Sequence, residues 1–145
     1  MAEKSIQEVQ DEIIEEFSVL SGDMEMTVFY MMELGQKMPA MDEAYRTEDN
    51  IVKGCQSKVW LYPEMENDRV QWQCDSNTEI TKGLVSLLRR VLNDRSPDDI
   101  LSAEIYFPEK IGMSRFIGTQ RSNGFAAMIK QMRNYAQACK VKMEH

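Results

Sequence analysis

The hydrophobic period changes in the middle of the chain, and this change constrains the fold more than any other feature of the sequence. In residues 69–74, RVQWQC, apolar and polar side chains alternate, so the apolar ones share one face of a strand. Apolar runs at residues 50–53 and 57–63 predict two further strands, with residues 63–68 as the hairpin loop before the last one. Three consecutive strands with short connections predict a small antiparallel meander.

Apolar residues recur at helical spacing before these strands. Residues 5–20 predict an amphipathic helix, and a second helix is predicted from the turn at residues 21–23 to about Gly35. This second helix carries a methionine-rich stripe, which we expect to pack in the core rather than to form an adaptable binding surface.

Helical spacing returns after the strands. Ser76 and Glu79 have the spacing of a capping box, which predicts the start of a third helix, and Ser96 before a proline predicts a short fourth one. Residues 104–120 lack a regular period and are expected to be irregular, and a last helix is predicted from near Gly124. The sequence therefore predicts an α+β fold, in which a small three-stranded antiparallel sheet packs against helices.

Length, composition and charge narrow the class of protein. The chain has 145 residues, which suits one domain spanning residues 1–145, and its 43% hydrophobic and 28% charged residues are typical of a globular fold. A net charge of -7 argues against nucleic acid and anionic membranes as partners. The N-terminal segment is acidic and amphipathic, unlike a secretory signal, and no run approaches the roughly 20 apolar residues of a membrane helix. We therefore expect a cytoplasmic protein whose thiols stay reduced.

The chain has three cysteines, and two of them are predicted to be packing residues. Cys139 continues the apolar stripe of the last helix, and Cys74 lies beside Trp72 on the apolar face of its strand. Cys55 differs because it follows Gly54 in a break between strands, where glycine permits a tight turn and the close approach of another backbone.

The surroundings of Cys55 in the sequence bear on its chemistry. The positive charges of Lys53 and Lys58 are expected to favour the thiolate if they lie near the sulfur. A Cys/His catalytic pair is disfavoured because the only histidine, His145, is the last residue. The cysteine spacing matches no zinc or cluster motif and contains no CxxC pair, so we expect no metal site and no independent peptidase or reductase.

Four segments carry the motifs of a known family. They are YMMELGQKMP at residues 30–39, VKGCQSKVWL at 52–61, DSNTEITKGLVSLL at 75–88 and RSNGFAAMIKQMR at 121–133. In this order they resemble the SufE family, over roughly residues 28–135. The resemblance implies a small sheet against helices, a fold shared with the IscU-type scaffolds, which agrees with the predicted α+β class.

The resemblance implies a role in iron–sulfur cluster assembly. SufE proteins take persulfide sulfur from a SufS-type, PLP-dependent cysteine desulfurase, stimulate that enzyme and deliver the sulfur to a cluster scaffold. A protein of this kind is a sulfur carrier that works with its partner rather than a stand-alone enzyme. The PLP resides on the desulfurase, so no cofactor is expected on this chain, and a monomer or weak homodimer is expected.

The resemblance also assigns residues. By position in the motifs, the sulfur acceptor is Cys55. The residues assigned to the support of the acceptor loop are Gly54, Gln56, Ser57 and Arg121. Arg121 either holds the thiolate or persulfide anion by its charge or serves only the loop or the helix. Asp75 and Asn77 are assigned a weak partner contact.

A persulfide needs both protection and delivery, so we expect two states of the loop. In the free protein Cys55 is expected to turn toward an apolar pocket near the last helix, and on the desulfurase to swing out. Two alternatives stay open. In the first, the chain activates the desulfurase by contact without carrying sulfur. In the second, the chain is an IscU-like cluster scaffold, which needs several converging iron ligands.

Overall fold

The computed structural model describes residues 4–20 and 22–144, and helices precede and follow a β-hairpin along the chain. The elements are α1 (Ile6–Ser18), α2 (Met24–Lys37), two 3₁₀ turns (Glu43–Tyr45 and Glu48–Asn50), β1 (Val59–Glu66), β2 (Arg69–Ser76), α3 (Glu79–Leu92), α4 (Pro97–Ser102), α5 (Phe107–Lys110) and α6 (Met113–Met143). The predicted α+β class is confirmed. His145 lies outside the described residues.

The sheet has two strands in the described part of the chain, and the prediction of three strands is wrong. β1 and β2 pair antiparallel, whereas residues 50–53 add only one bridge, between Ile51 and Trp60. A 3₁₀ turn ends at Asn50, and Gly54 has a φ of 98°. These two turns leave too few extended residues between them to form a third ladder.

The hairpin turn is also shorter than predicted. β1 continues to Glu66, so much of the segment predicted as loop is strand, and only Asn67 and Asp68 connect it to β2. Both residues have positive φ, at 54° and 62°, as the central residues of a type I′ turn do. Asn and Asp tolerate this conformation, which explains how the turn forms without glycine.

Two predicted helix starts have different outcomes. Ser96 caps α4 as predicted, since its side chain accepts a hydrogen bond from an N–H of the first turn at 3.1 Å. The predicted capping box of Ser76 and Glu79 is wrong. Ser76 ends β2 and its hydroxyl donates to the Lys58 carbonyl at 2.9 Å, whereas α3 begins after Thr78.

Residues 104–120 are more helical than predicted. They include α5 and the beginning of α6, where Met113 and Ile117 are buried. α6 is interrupted at Gly118, whose φ of 83° and ψ of 169° are not helical. The interruption divides the apolar residues into short groups, so the sequence shows no continuous helical period there.

α3 lies at the centre of the core, between β2 and α2. α2 and α3 pack so closely that a Cβ on Gly83 would lie 2.1 Å from the Met31 carbonyl oxygen, and a Cβ on Gly35 would lie 2.7 Å from the Gly83 nitrogen. On the sheet side, buried Trp72 donates its indole N–H to the Leu92 carbonyl at 3.1 Å. α3 is therefore held in a fixed position relative to both neighbours.

The methionine-rich stripe of α2 is only partly buried. Met31 and Met38 lie in the core, which confirms the packing prediction for these two residues. Met24 is 56% exposed, so the prediction is wrong for the first turn of the helix. None of the helices in the described ranges is long and apolar enough to cross a membrane.

Candidate functional site

The candidate site is built on residues 53–57, which we call the cysteine loop. One end of the loop is fixed because the N–H of Val52 donates to the Val59 carbonyl at 2.8 Å. At the other end, the N–H of Lys58 donates to the side-chain oxygen of Asn77 at 2.9 Å, and the N–H of Asn77 donates back to the Lys58 carbonyl at 3.1 Å. The loop is therefore short and anchored to the hairpin at both ends.

Cys55, the predicted sulfur acceptor, lies against α6. Its thiol donates to the carbonyl oxygen of Gly124 at 3.4 Å, and the residue is half-buried. A Cβ on Gly124 would lie 3.3 Å from the Cys55 Sγ, and a Cβ on Gly54 would lie 3.3 Å from the Cβ of Ala127. Two glycines, one on the loop and one on the helix, thus allow this close approach.

A pocket of about 340 Å³ lies beside Cys55, between the cysteine loop, α3 and α6. Its walls are formed by Cys55, Gln56 and Ser57 of the loop, Thr81 and Leu84 of α3, and residues 117–121, Gly124 and Met128 of α6. The pocket is lined by both polar and apolar side chains rather than by apolar ones alone. The fold brings Cys55, Gln56, Ser57 and Arg121 together here, whereas Asp75 and Asn77 are not part of the walls.

Burial raises the pKa of the Cys55 thiol above its ordinary value, so docking favours the thiol over the thiolate. Lys53 and Lys58 are expected to favour the thiolate only if their charges lie near the sulfur; in the docked loop both lysines are exposed, and burial is the cause of the pKa shift. Arg121 donates from its guanidinium to the Ile117 carbonyl at 3.4 Å, across the interruption of α6.

Asp75 and Asn77 interact within the chain. The carboxylate of Asp75 is 14% exposed and lies 3.4 Å from Arg46 Nε and 3.4 Å from Lys82 Nζ. Asn77 is exposed, and its side-chain oxygen holds Lys58 at the end of the cysteine loop. Both residues therefore support the hairpin end from which the loop leaves, and their contact with a partner stays a prediction.

Three residues of the site were not singled out from the sequence as site residues. The hydroxyl oxygens of Thr78 and Ser57 lie 2.9 Å apart, and the Thr81 hydroxyl donates to the Ser57 Oγ at 3.3 Å. The third residue is Gly124, on which the thiol rests. The sequence predicts the last helix to begin near Gly124, and only the structure places this glycine inside α6, where a glycine destabilises a helix and so indicates a close contact.

The other two cysteines are packed as predicted. Cys74 is 1% exposed, and its burial raises the pKa of its thiol to about 12. Cys139 is 7% exposed. Among residues 4–20 and 22–144, no group of three His, Cys, Asp or Glu side chains is placed to hold a metal ion.

Comparison with known proteins identifies the family. Residues 11–136 match the family model described as SufE, an Fe-S metabolism associated domain. The chain belongs to the SufE family. An uncharacterized SufE-like protein of Rhizobium etli is 33% identical over 132 residues, covering 88% of each chain. One from Rhizobium meliloti is 30% identical over 132 residues, covering 88% of this chain and 94% of its own.

A solved structure shares the fold of this SufE-family chain. The solution structure of a hypothetical protein from Thermus thermophilus superimposes with a TM-score of 0.76 at 20% sequence identity. The match covers 92% of this chain and 96% of that one. The arrangement of helices around the β1–β2 hairpin is therefore also found in a solved structure.

Proposed function

We propose that this chain accepts persulfide sulfur on Cys55 from a SufS-type cysteine desulfurase, stimulates that enzyme, and delivers the sulfur for iron–sulfur cluster assembly. The observation that carries the proposal is the position of Cys55. It is the half-buried cysteine of the chain, it lies in a short loop anchored at both ends, and its sulfur lines a pocket. Membership of a family associated with Fe-S metabolism supports the same role.

The chemistry is a thiol exchange. The donor cysteine changes from a persulfide to a thiolate, and Cys55 changes from a thiolate to a persulfide. The Cys55 thiolate attacks the outer sulfur of the donor persulfide and forms a new S–S bond. The S–S bond of the donor breaks at the same time, and its electron pair leaves with the donor cysteine as a thiolate. The outer sulfur is thereby transferred to Cys55, and the reaction consumes no external oxidant or reductant.

The raised pKa of Cys55 means that the thiol differs in reactivity between the docked and the released position of the loop. In the pocket, burial favours the protonated thiol, which is a poor nucleophile. When the loop leaves α6, the burial is lost and the pKa falls toward its ordinary value, so the proton is released to water more readily. Release from the pocket therefore both extends the thiol and activates it, which meets the opposite needs of protection and delivery.

Arg121 lines the pocket, and we assign it the task of attracting the persulfide anion when the loaded loop returns. Within residues 4–20 and 22–144, its guanidinium donates to a backbone carbonyl of its own helix in the docked state. The guanidinium thus keeps several donors for an anion, because it carries five N–H groups.

Two observations favour the carrier over the two alternatives kept from the sequence. A cluster scaffold uses several thiolates around iron, and these two sulfurs are packed in the core. A contact activator needs no thiol, yet a glycine on α6 is placed to receive this one. We place the exchange in the cytoplasm, between a desulfurase that carries PLP, this chain as a monomer or weak homodimer without its own cofactor, and a downstream scaffold.

Intact-mass spectrometry after incubation with a SufS-type desulfurase, PLP and cysteine tests the proposal. We expect a gain of one sulfur, about 32 Da, that dithiothreitol removes. Cys55→Ser is expected to gain nothing, and Cys139→Ser, which removes a buried thiol, is the matched control that still gains it. Arg121→Ala is expected to load but to lose its sulfur to dithiothreitol faster.

Other outcomes would overturn the proposal. A Cys55→Ser protein that stimulates the desulfurase fully, combined with no sulfur gain in the unmodified chain, would establish the contact activator. Stoichiometric iron binding that depends on Cys55 would establish the scaffold. Loading of Arg121→Ala with unchanged persulfide lifetime would remove the role of that arginine alone.

A further inference from the structure

The cysteine loop is attached to the rest of the protein at a second place, besides the contact of Cys55 with α6. Ser57, two residues after the cysteine, points its hydroxyl at the beginning of α3. The Ser57 Oγ lies 2.9 Å from the Thr78 Oγ1 and accepts a hydrogen bond from the Thr81 hydroxyl at 3.3 Å. Three hydroxyls therefore form a connected chain between the loop and the helix.

The use of Thr78 in this chain is unusual for its position. Thr78 is the N-cap of α3, with extended backbone angles of φ -127° and ψ 145°. A threonine at this position ordinarily accepts a hydrogen bond from an N–H of the first turn. Its side chain makes no such bond here and contacts Ser57 instead. α3 therefore lacks a side-chain cap at its N-terminus, and the Thr78 hydroxyl binds the cysteine loop instead.

Thr81 is placed in the same way. It is 4% exposed, and it lines the pocket together with Leu84 and Met128. A buried hydroxyl is unfavourable unless it is hydrogen-bonded, and the partner of this one is the Ser57 hydroxyl. The Thr81 hydroxyl therefore has this hydrogen-bond partner only while the loop is docked.

We propose that Thr78 and Thr81 are positioning residues that act through Ser57 as a latch, which holds the cysteine loop against α3 and sets how often Cys55 is released. The inference rests on the proposed function and deepens it. Opening the latch leaves the anchors at Val52 and Lys58 in place, so the loop swings between fixed ends. The strength of the latch sets the balance between a protected sulfur and a delivered one.

The latch has a kinetic consequence. A partner that binds only the released loop has its apparent affinity reduced by the fraction of molecules in which the loop is released. Loss of one hydrogen bond of ordinary strength is expected to raise that fraction about five-fold. A weaker latch therefore lowers the KM of the desulfurase for this chain while leaving kcat unchanged, and it shortens the lifetime of the persulfide in reductant.

The test compares Thr81→Val, which removes the hydroxyl, with Thr81→Ser, which keeps it. The first measurement is the rate at which iodoacetamide alkylates Cys55 with no partner present, followed by intact mass. We expect Thr81→Val to react about five times faster than the unmodified chain and Thr81→Ser to react at nearly the unmodified rate. Ser86→Ala, which removes a hydroxyl of α3 that donates locally to the Gly83 carbonyl at 2.6 Å, is the matched control and should not change the rate.

The second measurement is the steady-state rate of the desulfurase at increasing concentrations of each variant. A lower KM at constant kcat for Thr81→Val supports the latch. An unchanged alkylation rate in folded Thr81→Val, or an equal increase in Thr81→Ser or Ser86→Ala, overturns it. If Thr81→Val fails to fold, Ser57→Ala makes the same test from the loop side. Faster alkylation with no sulfur loading in any variant would support the latch and refute the sulfur-carrier function.

Discussion

Replacing Gly124 with alanine tests whether the thiol really rests on α6. A Cβ at this position would lie 3.3 Å from the Cys55 Sγ, but 3.7 Å from both the Cα and the Cβ of Cys55. Only the sulfur is therefore too close, and a shift of a few tenths of an ångström relieves the contact. The loop can make this shift because its fixed points lie at Val52 and Lys58.

The substitution has two opposite energetic effects. Alanine in place of glycine inside a helix stabilises α6 by about 1 kcal/mol, so global stability should not fall. Overpacking against the thiol disfavours the docked loop by about 1 kcal/mol, at the low end of the usual range because the neighbour can move. This second effect raises the released fraction about five-fold.

The assay is alkylation of Cys55 by iodoacetamide under native conditions, together with thermal unfolding. We expect Gly124→Ala to react several times faster than the unmodified chain while melting at the same or a higher temperature. Ala126→Gly is the matched control, because it weakens the same helix at an exposed position that does not line the Cys55 pocket. An alkylation rate equal to or below that of the unmodified chain would refute the reasoning, and so would an equal increase in Ala126→Gly.

Two further predictions follow from charge and packing. The pKa of Cys55 is raised by burial, so the pH at which its alkylation rate is half-maximal should be higher in the folded chain than in the urea-unfolded chain. Equal half-maximal pH values in the two states would contradict this prediction. Because folding favours the protonated thiol, Cys55 contributes to the stability of the folded chain. This contribution is complete below the ordinary pKa of a thiol and is lost as the pH rises through the raised pKa of folded Cys55. Gly83→Ala is expected to lose about 3 kcal/mol or more in urea unfolding, because its Cβ would lie 2.1 Å from the Met31 carbonyl oxygen, and a loss within about 0.5 kcal/mol would show that α2 and α3 can separate.

Much of the fold was predictable because buried residues recur along the chain with the same spacing as the apolar residues of the sequence. The helices of the N-terminal half and α3 bury one face each, and their apolar residues recur at the corresponding spacing. β2 alternates buried and partly exposed residues along its first six positions, as its sequence predicts. Cys74 and Cys139 lie on such patterns, so their packing followed without knowledge of the tertiary structure.

The errors come from places where local signals compete. Ser76 and Glu79 have the spacing of a capping box, but pairing with β1 extends β2 through Ser76 and moves the start of α3 beyond it. Residues 50–53 are apolar enough for a strand, but the turns on either side of them end it after one bridge. Neither outcome depends on the residue types alone, because each is decided by what the neighbouring segment pairs with.

The candidate site was predictable in part. Cys55 stood out because it lies outside every apolar period and follows a glycine, and the motif around it resembled the SufE family. Thr78 and Thr81 did not stand out, because threonine is an ordinary residue at a helix start. The conditional expectation for Lys53 and Lys58 depended on their distance from the sulfur, which the sequence does not give; in the structure both are exposed, and burial of the thiol raises its pKa.

The sequence by itself determined that this chain combines helices with antiparallel strands and that Cys55, unlike Cys74 and Cys139, lies outside the regular apolar patterns. It did so because hydrophobic periods and glycine record local backbone preferences. Only the tertiary structure decided which atom of α6 the thiol contacts, how far the thiol is buried and which hydroxyls its loop contacts. Cys55 and Gly124 are 69 positions apart, and their contact exists because α6 packs beside α3 and the hairpin. Contacts of this kind depend on how whole elements pack, which no local pattern records.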